Sequence, residues 1–296
     1  MEKIKIYHLC ISCNEGLLFR SRHDYIRFVN NMALLANKYK IRILAYSVMS
    51  NHFHIGVMTG GYDKFLQSLK RSYSNYYRCR YGTRIPENKY MVTSASGNVH
   101  ILTMLSYILR NPVHHGLAGH PFGYPYSSAR CYFAYDFQLY SIGRAPTLKR
   151  TKTIMPEHFF SDREGMIDPH FFVDEAMVEN LFGTSGKFMY FMSRHSGPKW
   201  EFEQQEEAEA PVTLETIEGS DIDLNVCLQN ERGHAKLLIP DQLLCEYIDG
   251  IVVSKAGKYS YVELSDSERI KIAYELKEKW HVKDAQISRV LYREEK

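Results

Sequence analysis

The sequence predicts an α+β fold, with an antiparallel sheet packed against helices and a helix-turn-helix extension near the C-terminus. Segments of strand type and helix type alternate through the first third of the chain. The connections between them are short enough for antiparallel neighbours. With 296 residues, 45% of them hydrophobic, the chain is long enough to form two domains. Alternation of this kind is typical of a ferredoxin-like sandwich.

The first elements follow from the hydrophobic pattern and from its breaks. Strands are predicted where short apolar runs occur, and helices where apolar residues recur every three or four positions. A turn at "CNEG" separates the first strand from the first helix. The predicted order is a strand at about 4–13, a helix at 23–39, a strand at 41–49 that resumes at 52–58, and a helix at 62–82.

After a loop, a further helix is predicted for "NVHILTMLSYILRN", and Pro112 is expected to stop it. These elements make up a predicted first domain over residues 1–140. Residues 141–212 are predicted to be a connector, which starts with the basic stretch "GRAPTLKRTKT" and ends in the acidic linker "EFEQQEEAEAPV". Residues 213–296 form the predicted C-terminal region.

Two helices are predicted close to the C-terminus. Ser265 and Glu268 have the spacing of a capping box, which starts a helix by satisfying its first free amides. The apolar stripe of this helix is expected to comprise Ile270, Ala273, Leu276 and Trp280.

The second of these helices follows a turn at "HVKD" and is expected to point Ile287, Val290 and Leu291 inward. Gln286 and Arg289 would then face outward. Two short helices with such a turn are typical of a helix-turn-helix unit, here at about 264–293, in which these two residues would contact DNA. A helical hairpin used only for packing is the alternative.

The net charge of +3 conceals an asymmetry between the two parts of the chain. Residues 1–150 contain 20 Lys and Arg against 6 Asp and Glu, a net charge of +14. The remaining residues contain 17 against 28, a net charge of −11. A strongly basic half indicates a polyanionic partner, of which nucleic acid is the commonest. An unselective basic surface is the alternative.

The predicted helix at 62–82 mixes cations with aromatic rings. Cations of this kind bind phosphates, and exposed rings stack on unpaired bases. A solvated basic face over core tyrosines is the alternative. The candidate DNA-binding residues here are Lys70, Arg71, Tyr77, Arg78 and Arg80.

The sequence favours the cytoplasm as the compartment. The N-terminus has no apolar run of signal-peptide length, and no stretch approaches the roughly 20 apolar residues of a membrane span. The six cysteines do not form a disulfide framework, and the single C-x-x-C at Cys10 and Cys13 has no second pair to complete a zinc site. Ordinary reduced cysteines are therefore expected.

The stretch "AYSVMSNHFHIGVMT" contains two histidines within a predicted strand. Residues two apart in a strand point to the same face, so His52 and His54 would lie side by side while Phe53 points into the core. The H-x-H spacing offers two imidazoles to one divalent ion. The spacing alone is weak evidence in a chain with 13 histidines.

The segment "MLSYILRNPVHHGL" supplies a candidate nucleophile and a further candidate ligand. Tyr107 and Asn111 are four residues apart and would share one face of a helix. Because Pro112 disfavours helical geometry at the preceding residue, Asn111 is expected at the helix end, free to turn toward an ion. His114 and His115 are read as loop or DNA-contact residues rather than ligands.

Together, the motifs "YHLCISCNEGLLF", "AYSVMSNHFHIGV" and "YILRNPVHHGL" followed by "GYPYSS" resemble the REP-associated tyrosine transposases of the HUH single-strand transposase superfamily. The resemblance covers roughly residues 4–135 in the right order and spacing. One departure is "GTRIPENKYMVTSASGN", which stands where many relatives carry Gly-x-x-Phe and an Arg-rich stretch. DNA contacts of that region are therefore not transferred to this chain.

The resemblance implies a catalytic domain that acts on single-stranded DNA, often folded into hairpins. His52 and His54 would be the metal-binding pair, with Asn111 completing the site, and Tyr107 the nucleophile that forms a 5′-phosphotyrosine. The cofactor implied is Mg²⁺ or Mn²⁺. The expected partner is single-stranded or hairpin DNA without a membrane partner, and a homodimer is possible.

Two other functions remain open at this stage. The chain could be a non-catalytic DNA-binding regulator that keeps the fold and uses its C-terminal motif. It could also be a metal-dependent phosphodiesterase that activates water, with Tyr107 only structural.

Overall fold

A computed structural model describes residues 3–13, 15–139, 156–193, 239–255 and 258–293, apart from the side chains of residues 253–255. The predicted basic connector at 143–153 and the acidic linker at 201–212 lie outside the described residues. Within the described ranges, no helix is long and apolar enough to cross a membrane.

A four-stranded antiparallel sheet forms the centre of the N-terminal part. Its strands have the spatial order β2-β3-β1-β4, and all neighbouring pairs are antiparallel. The helices α1 and α2 connect β1 to β2 and β3 to β4, which gives the split βαβ arrangement of ferredoxin-like folds. The bounds are β1 Lys5–Ser12, α1 Arg22–Tyr39, β2 Arg42–Val48, β3 His52–Thr59, α2 Asp63–Tyr81 and β4 Lys89–Ala95.

The two faces of the sheet pack against different helices. On one face, Phe53 of β3 lies 4.5 Å, ring centre to ring centre, from Phe28 of α1. On the other face lies α3 (Asn98–His114), which approaches β3 at Gly56. A Cβ added to Gly56 would stand 3.2 Å from the Cδ1 atom of Ile108. The even-numbered residues of β3, which include both histidines, therefore face α3.

The structure corrects two expectations about this part of the chain. The segment between α2 and α3, expected to be a loop, contains the edge strand β4. The helix α3 does not stop at Pro112 but continues through His114. Proline costs this helix one backbone donor, yet the amide of His115 still donates to the Asn111 carbonyl at 3.1 Å, so the last turn closes.

The remaining described helices pack against the same hydrophobic core. The first two, α4 and α5, contribute Val178, Phe182, Phe188 and Met192 to it. Leu244, Leu276 and Val290 represent the three C-terminal helices in this core. The bounds are α4 Glu175–Phe182, α5 Ser185–Ser193, α6 Asp241–Lys255, α7 Asp266–Trp280 and α8 Asp284–Val290.

The predicted capping box of α7 is present, with Ser265 as the N-cap and Glu268 at N3. The predicted apolar stripe of α7 is half right: Leu276 is buried and Ala273 packs partly buried against the core, whereas Ile270 and Trp280 are exposed and Ile272 is buried instead. The helix turns a different face inward because it packs against α6 and α8 at once.

Candidate active site

Four predicted site residues meet between β3 and α3. His52 and His54 are buried on the face of β3 that looks toward α3, and Asn111 is buried on α3 itself. Tyr107 stands one turn before Asn111 and remains 41% exposed. The alternation of the strand and the four-residue spacing of the helix bring these side chains together.

His52 is held at both ring nitrogens. Its Nδ1 atom lies 2.7 Å from Asn51 Oδ1, and its Nε2 atom lies 2.8 Å from Asn111 Oδ1. A neutral imidazole has only one N–H to donate, so it can satisfy only one of these two amide oxygens. With that N–H at Nδ1, the lone pair of Nε2 faces another acceptor, the Asn111 oxygen, while Asn111 Nδ2 is buried without a hydrogen-bond partner among the described residues.

This arrangement fits a bound cation, because a metal ion accepts lone pairs from both Nε2 and Oδ1. A half-turn of the Asn111 amide would satisfy His52 in a different way, by pointing Nδ2 at Nε2. Burial lowers the pKa of His52, while its contact with Asn111 acts in the opposite direction. Burial also lowers the pKa of His54 well below its usual value. Neutral imidazoles are the form that binds metals.

His8 is a member of this cluster that sequence reasoning missed. Its Nε2 atom lies 2.9 Å from His54 Nδ1, so the Nε2 atom of His54 is left for a ligand. Burial lowers the pKa of His8 to about 4. His8 pairs with Gly56 across β1 and β3, which places it on the face of His54. The sequence signal is the "YHLC" of the first strand, which becomes informative only when the strand register is known.

His115 also belongs to the cluster, although the sequence favoured a loop or DNA-contact role. Its ring centre lies 4.7 Å from that of His52. Burial lowers the pKa of His115 to about 4, and His52 and His114 act in the same direction. His115 thus places its ring against that of His52 at the end of α3.

Tyr107 places its ring at the edge of the histidine cluster. Its ring centre is 5.3 Å from that of His54 and 5.9 Å from that of His8. Burial raises the pKa of Tyr107, Cys10 raises it further, and Asn111 acts to lower it. An exposed phenol beside buried ligand-type groups can reach a substrate without leaving the site.

A second group of metal-ligand types lies elsewhere in the described residues. Cys131, His170 and Glu175 each place one ligand atom within 4.8 Å of the others. His170 Nδ1 lies 2.5 Å from Glu175 Oε1, so these two already form a pair without an ion. Burial raises the pKa of the Cys131 thiol, which opposes formation of the thiolate that binds metals.

The predicted DNA-binding residues of α2 divide into two sets. Arg71, Arg78 and Arg80 are exposed, and Lys70 is half-buried with its Nζ atom 4.8 Å from the ring centre of Tyr90. Tyr77 corrects the prediction. It is fully buried and donates to the Leu17 carbonyl, so its ring is not available to stack on a base.

The predicted DNA-binding residues of α8 also differ from expectation. Gln286 does not face outward, because its Nε2 atom donates to Asp241 Oδ1 at 2.7 Å and to the Ile239 carbonyl at 2.6 Å. Arg289 lies 3.6 Å from Asp241 Oδ1. Both residues are turned toward the start of α6, because α8 packs against that helix.

Comparison with known proteins adds little to this description. No protein-family model matches the sequence, and no curated protein matches it. Among solved structures, the chain is similar to a REP-associated tyrosine transposase bound to a REP hairpin. The identity is 17% and the TM-score 0.36, over 51% of this chain and 92% of that chain. A likeness this distant supports no argument about the site.

Proposed function

We propose that this protein is a metal-dependent single-stranded DNA transposase, which cleaves and rejoins DNA through a 5′-phosphotyrosine at Tyr107. One observation supports this above all. An accessible tyrosine stands at the edge of a buried histidine pair, and the Nε2 atom of His52 lies 2.8 Å from the Asn111 oxygen, close enough for both atoms to bind one ion. The motif order of the sequence agrees with this reading.

The proposed metal ligands are His52 Nε2, His54 Nε2 and Asn111 Oδ1. Mg²⁺ or Mn²⁺ bound by them would polarise the scissile phosphate and make its phosphorus more electrophilic. His8 would hold the proton of His54 at Nδ1, and Asn51 would hold that of His52 at the same position. These contacts orient the ligand nitrogens, as second-shell partners of metal-binding histidines commonly do.

Tyr107 would attack phosphorus through its hydroxyl oxygen. A bond forms between that oxygen and phosphorus, the bond from phosphorus to the 3′ oxygen breaks, and the 3′ oxygen leaves as a hydroxyl. The tyrosine loses its proton in the same step. Strand joining reverses these events, with a 3′ hydroxyl attacking and the tyrosine leaving, so the bond energy is kept without ATP.

The DNA partner is proposed from charge and exposure. The three exposed arginines of α2 lie in the basic N-terminal half, where they can contact phosphates. The helix pair α7 and α8 is joined by a three-residue turn, and its helix-turn-helix role stays a prediction. Residues exposed on or beside α8, such as Lys283 and Ser288, would then face the duplex part of a hairpin.

A covalent trapping experiment tests this function. The full chain is incubated with end-labelled hairpin DNA that has single-stranded flanks, in the presence of Mn²⁺ and separately with a chelator. We expect a denaturation-resistant protein–DNA adduct only with metal, and peptide mapping by mass spectrometry should locate it at Tyr107. Free fragments without an adduct would indicate a phosphodiesterase that uses water. A mobility shift without cleavage would indicate a regulator.

A further inference from the structure

The end of helix α8 and the residues after it pack against the loop before α1, which in turn contacts the segment leading into His52. Arg20 is 1% exposed and donates from NH1 to the Val290 carbonyl at 2.8 Å. A Cβ at Gly16 would stand 2.5 Å from Tyr292 Cδ1. The amides of Leu18 and Phe19, in the same loop, both donate to the Ser50 carbonyl at 2.8 Å. The end of α8 therefore contacts the loop that holds the segment leading into His52.

Asp241, the first residue of α6, links that segment to α8. It is 6% exposed, and each of its carboxylate oxygens has a donor. Its Oδ2 atom accepts from Ser50 Oγ at 2.6 Å, and its Oδ1 atom accepts from Gln286 Nε2 at 2.7 Å. Arg289 NH2 lies 3.6 Å from the same Oδ1 atom. One buried carboxylate thus bonds both to Ser50, just before His52, and to the inward-facing side of α8.

Arg289 is the member of this group that keeps hydrogen-bond donors unused. Its side chain is 32% exposed, and its distance from Asp241 is longer than a hydrogen bond. Its Nε atom is buried without a partner in the part of the chain that the structure describes, so DNA can be reached only by the terminal NH1 and NH2 groups. Through Asp241 and Ser50, the guanidinium is linked to the segment that leads directly into His52.

We propose that Arg289 is a DNA-binding residue of the candidate active site, where its guanidinium contacts a phosphodiester of the single strand beside the histidine cluster. Asp241 is the positioning residue that holds it there. Guanidinium groups bind phosphate through paired N–H donors, and Arg289 has such donors free. The inner face of α8 thereby becomes a wall of the site, while Lys283 and Ser288 stay exposed for the duplex part of a hairpin. This inference rests on the function proposed above.

The test measures DNA binding without cleavage, in full-length Tyr107→Phe protein. Two fluorescent probes are used, a single-stranded oligothymidylate and a hairpin with single-stranded flanks. Arg289→Gln is compared with Arg293→Gln, which removes an equal charge from an exposed arginine paired with Asp266. Ser50 and Gln286 continue to donate to Asp241 in the first variant, so we expect it to fold.

We expect Arg289→Gln to weaken binding of both probes by about tenfold, and to reduce the slope of log affinity against log salt by about 0.7, one phosphate contact on a single strand. Arg293→Gln should change affinity by less than about twofold. Equal losses in both variants would overturn the proposal, because they would reflect net charge alone. A loss confined to the hairpin would also overturn it, in favour of duplex recognition.

The positioning role of Asp241 is tested by a double-mutant cycle. Asp241→Asn keeps the shape of the side chain but removes the charge that attracts Arg289. It should weaken oligothymidylate binding about as much as Arg289→Gln, and the double variant should lose little more. Fully additive losses would contradict positioning. Thermal unfolding of each variant confirms that the compared proteins are folded.

These results can be told apart from a failure of the proposed function. If the wild-type protein forms no adduct with hairpin DNA, the transposase function fails while the binding comparison still reports on Arg289. If an adduct forms at Tyr107 and Arg289→Gln binds both probes like its parent, only the present inference fails.

Discussion

The helices α2 and α3 both carry tyrosines, and the surroundings of those tyrosines differ sharply. On α2, Tyr73 donates to the Leu18 carbonyl at 2.7 Å, and Tyr81 donates to Asp24 at 2.6 Å. Tyr77 is buried in the same way. Burial raises the pKa of each of these phenols. Their hydroxyls bond to the loop before α1 and to the first turn of α1.

On α3, by contrast, Tyr107 packs its ring against histidines and leaves its side chain partly exposed. The difference teaches that residue type and helical spacing do not mark a nucleophile, because both helices present tyrosines at regular intervals. What distinguishes Tyr107 is the opposing strand face, which supplies two neutral imidazoles rather than apolar side chains. If these surroundings determine which tyrosine reacts with DNA, variants on the two helices should differ in adduct formation.

The largest effect is expected for Tyr107→Phe. This variant should lose all covalent DNA adduct while keeping its fold and its DNA affinity, because it removes only one partly exposed hydroxyl. Adduct yield with hairpin DNA and Mn²⁺ is the measurement. Tyr76→Phe on α2 is the matched control, since its half-buried hydroxyl is bonded to Asp24 and should not be needed for cleavage. An adduct that persists in Tyr107→Phe would assign the nucleophile to another tyrosine.

The next largest effect is expected for the double variant His52→Ala and His54→Ala. Loss of two proposed ligands should reduce cleavage by more than about a hundredfold, since outer-shell changes alone commonly cost 10- to 100-fold. Hairpin binding in a gel-shift measurement should remain. His100→Ala, an exposed histidine on α3, is the control and should cleave normally. Unchanged cleavage by the double variant would remove the metal assignment.

A smaller effect is expected for His8→Phe, which keeps an aromatic ring on β1 but removes the hydrogen bond to His54 Nδ1. The expected consequence is about tenfold weaker metal affinity, seen as a rise in the Mn²⁺ concentration that gives half-maximal cleavage. Cleavage at saturating Mn²⁺ should be restored. A loss that excess metal does not restore would mean that His8 acts in some other way than by orienting His54.

The sequence predicts much of the architecture because its local signals agree with one another. Strand and helix patterns through residue 82 match the structure to within one or two positions, and the capping box at Ser265 forms as expected. The strand β4 is missed because it lies at an edge and is mostly exposed, so it lacks a buried apolar face. The end of α3 is missed because one proline does not break a helix whose other bonds close.

The site is less accessible to sequence reasoning, because its parts come from separate elements. The H-x-H pair and the Tyr107–Asn111 spacing are local patterns and can be read directly. The contribution of His8 depends on which residue of β3 it faces, and this is set by strand register. The burial of Tyr77 and the inward turn of Gln286 depend on how distant helices pack. Periodicity leaves those choices open.

The smallest effect on adduct formation is expected for Tyr77→Phe. In contrast to Tyr107→Phe, this variant should lose stability and keep its activity. Its hydroxyl donates to the Leu17 carbonyl at 3.2 Å and lies 3.4 Å from the Tyr261 hydroxyl, so removing it leaves a buried acceptor without its donor. We expect a loss of about 1 kcal/mol in the free energy of unfolding, measured by urea denaturation. Adduct yield should be unchanged. Tyr107→Phe, tested beside it, should lose the adduct with a smaller loss of stability, because its side chain is partly exposed. If Tyr77→Phe instead lost the adduct while remaining folded, the contrast between the two helices would not explain which tyrosine reacts.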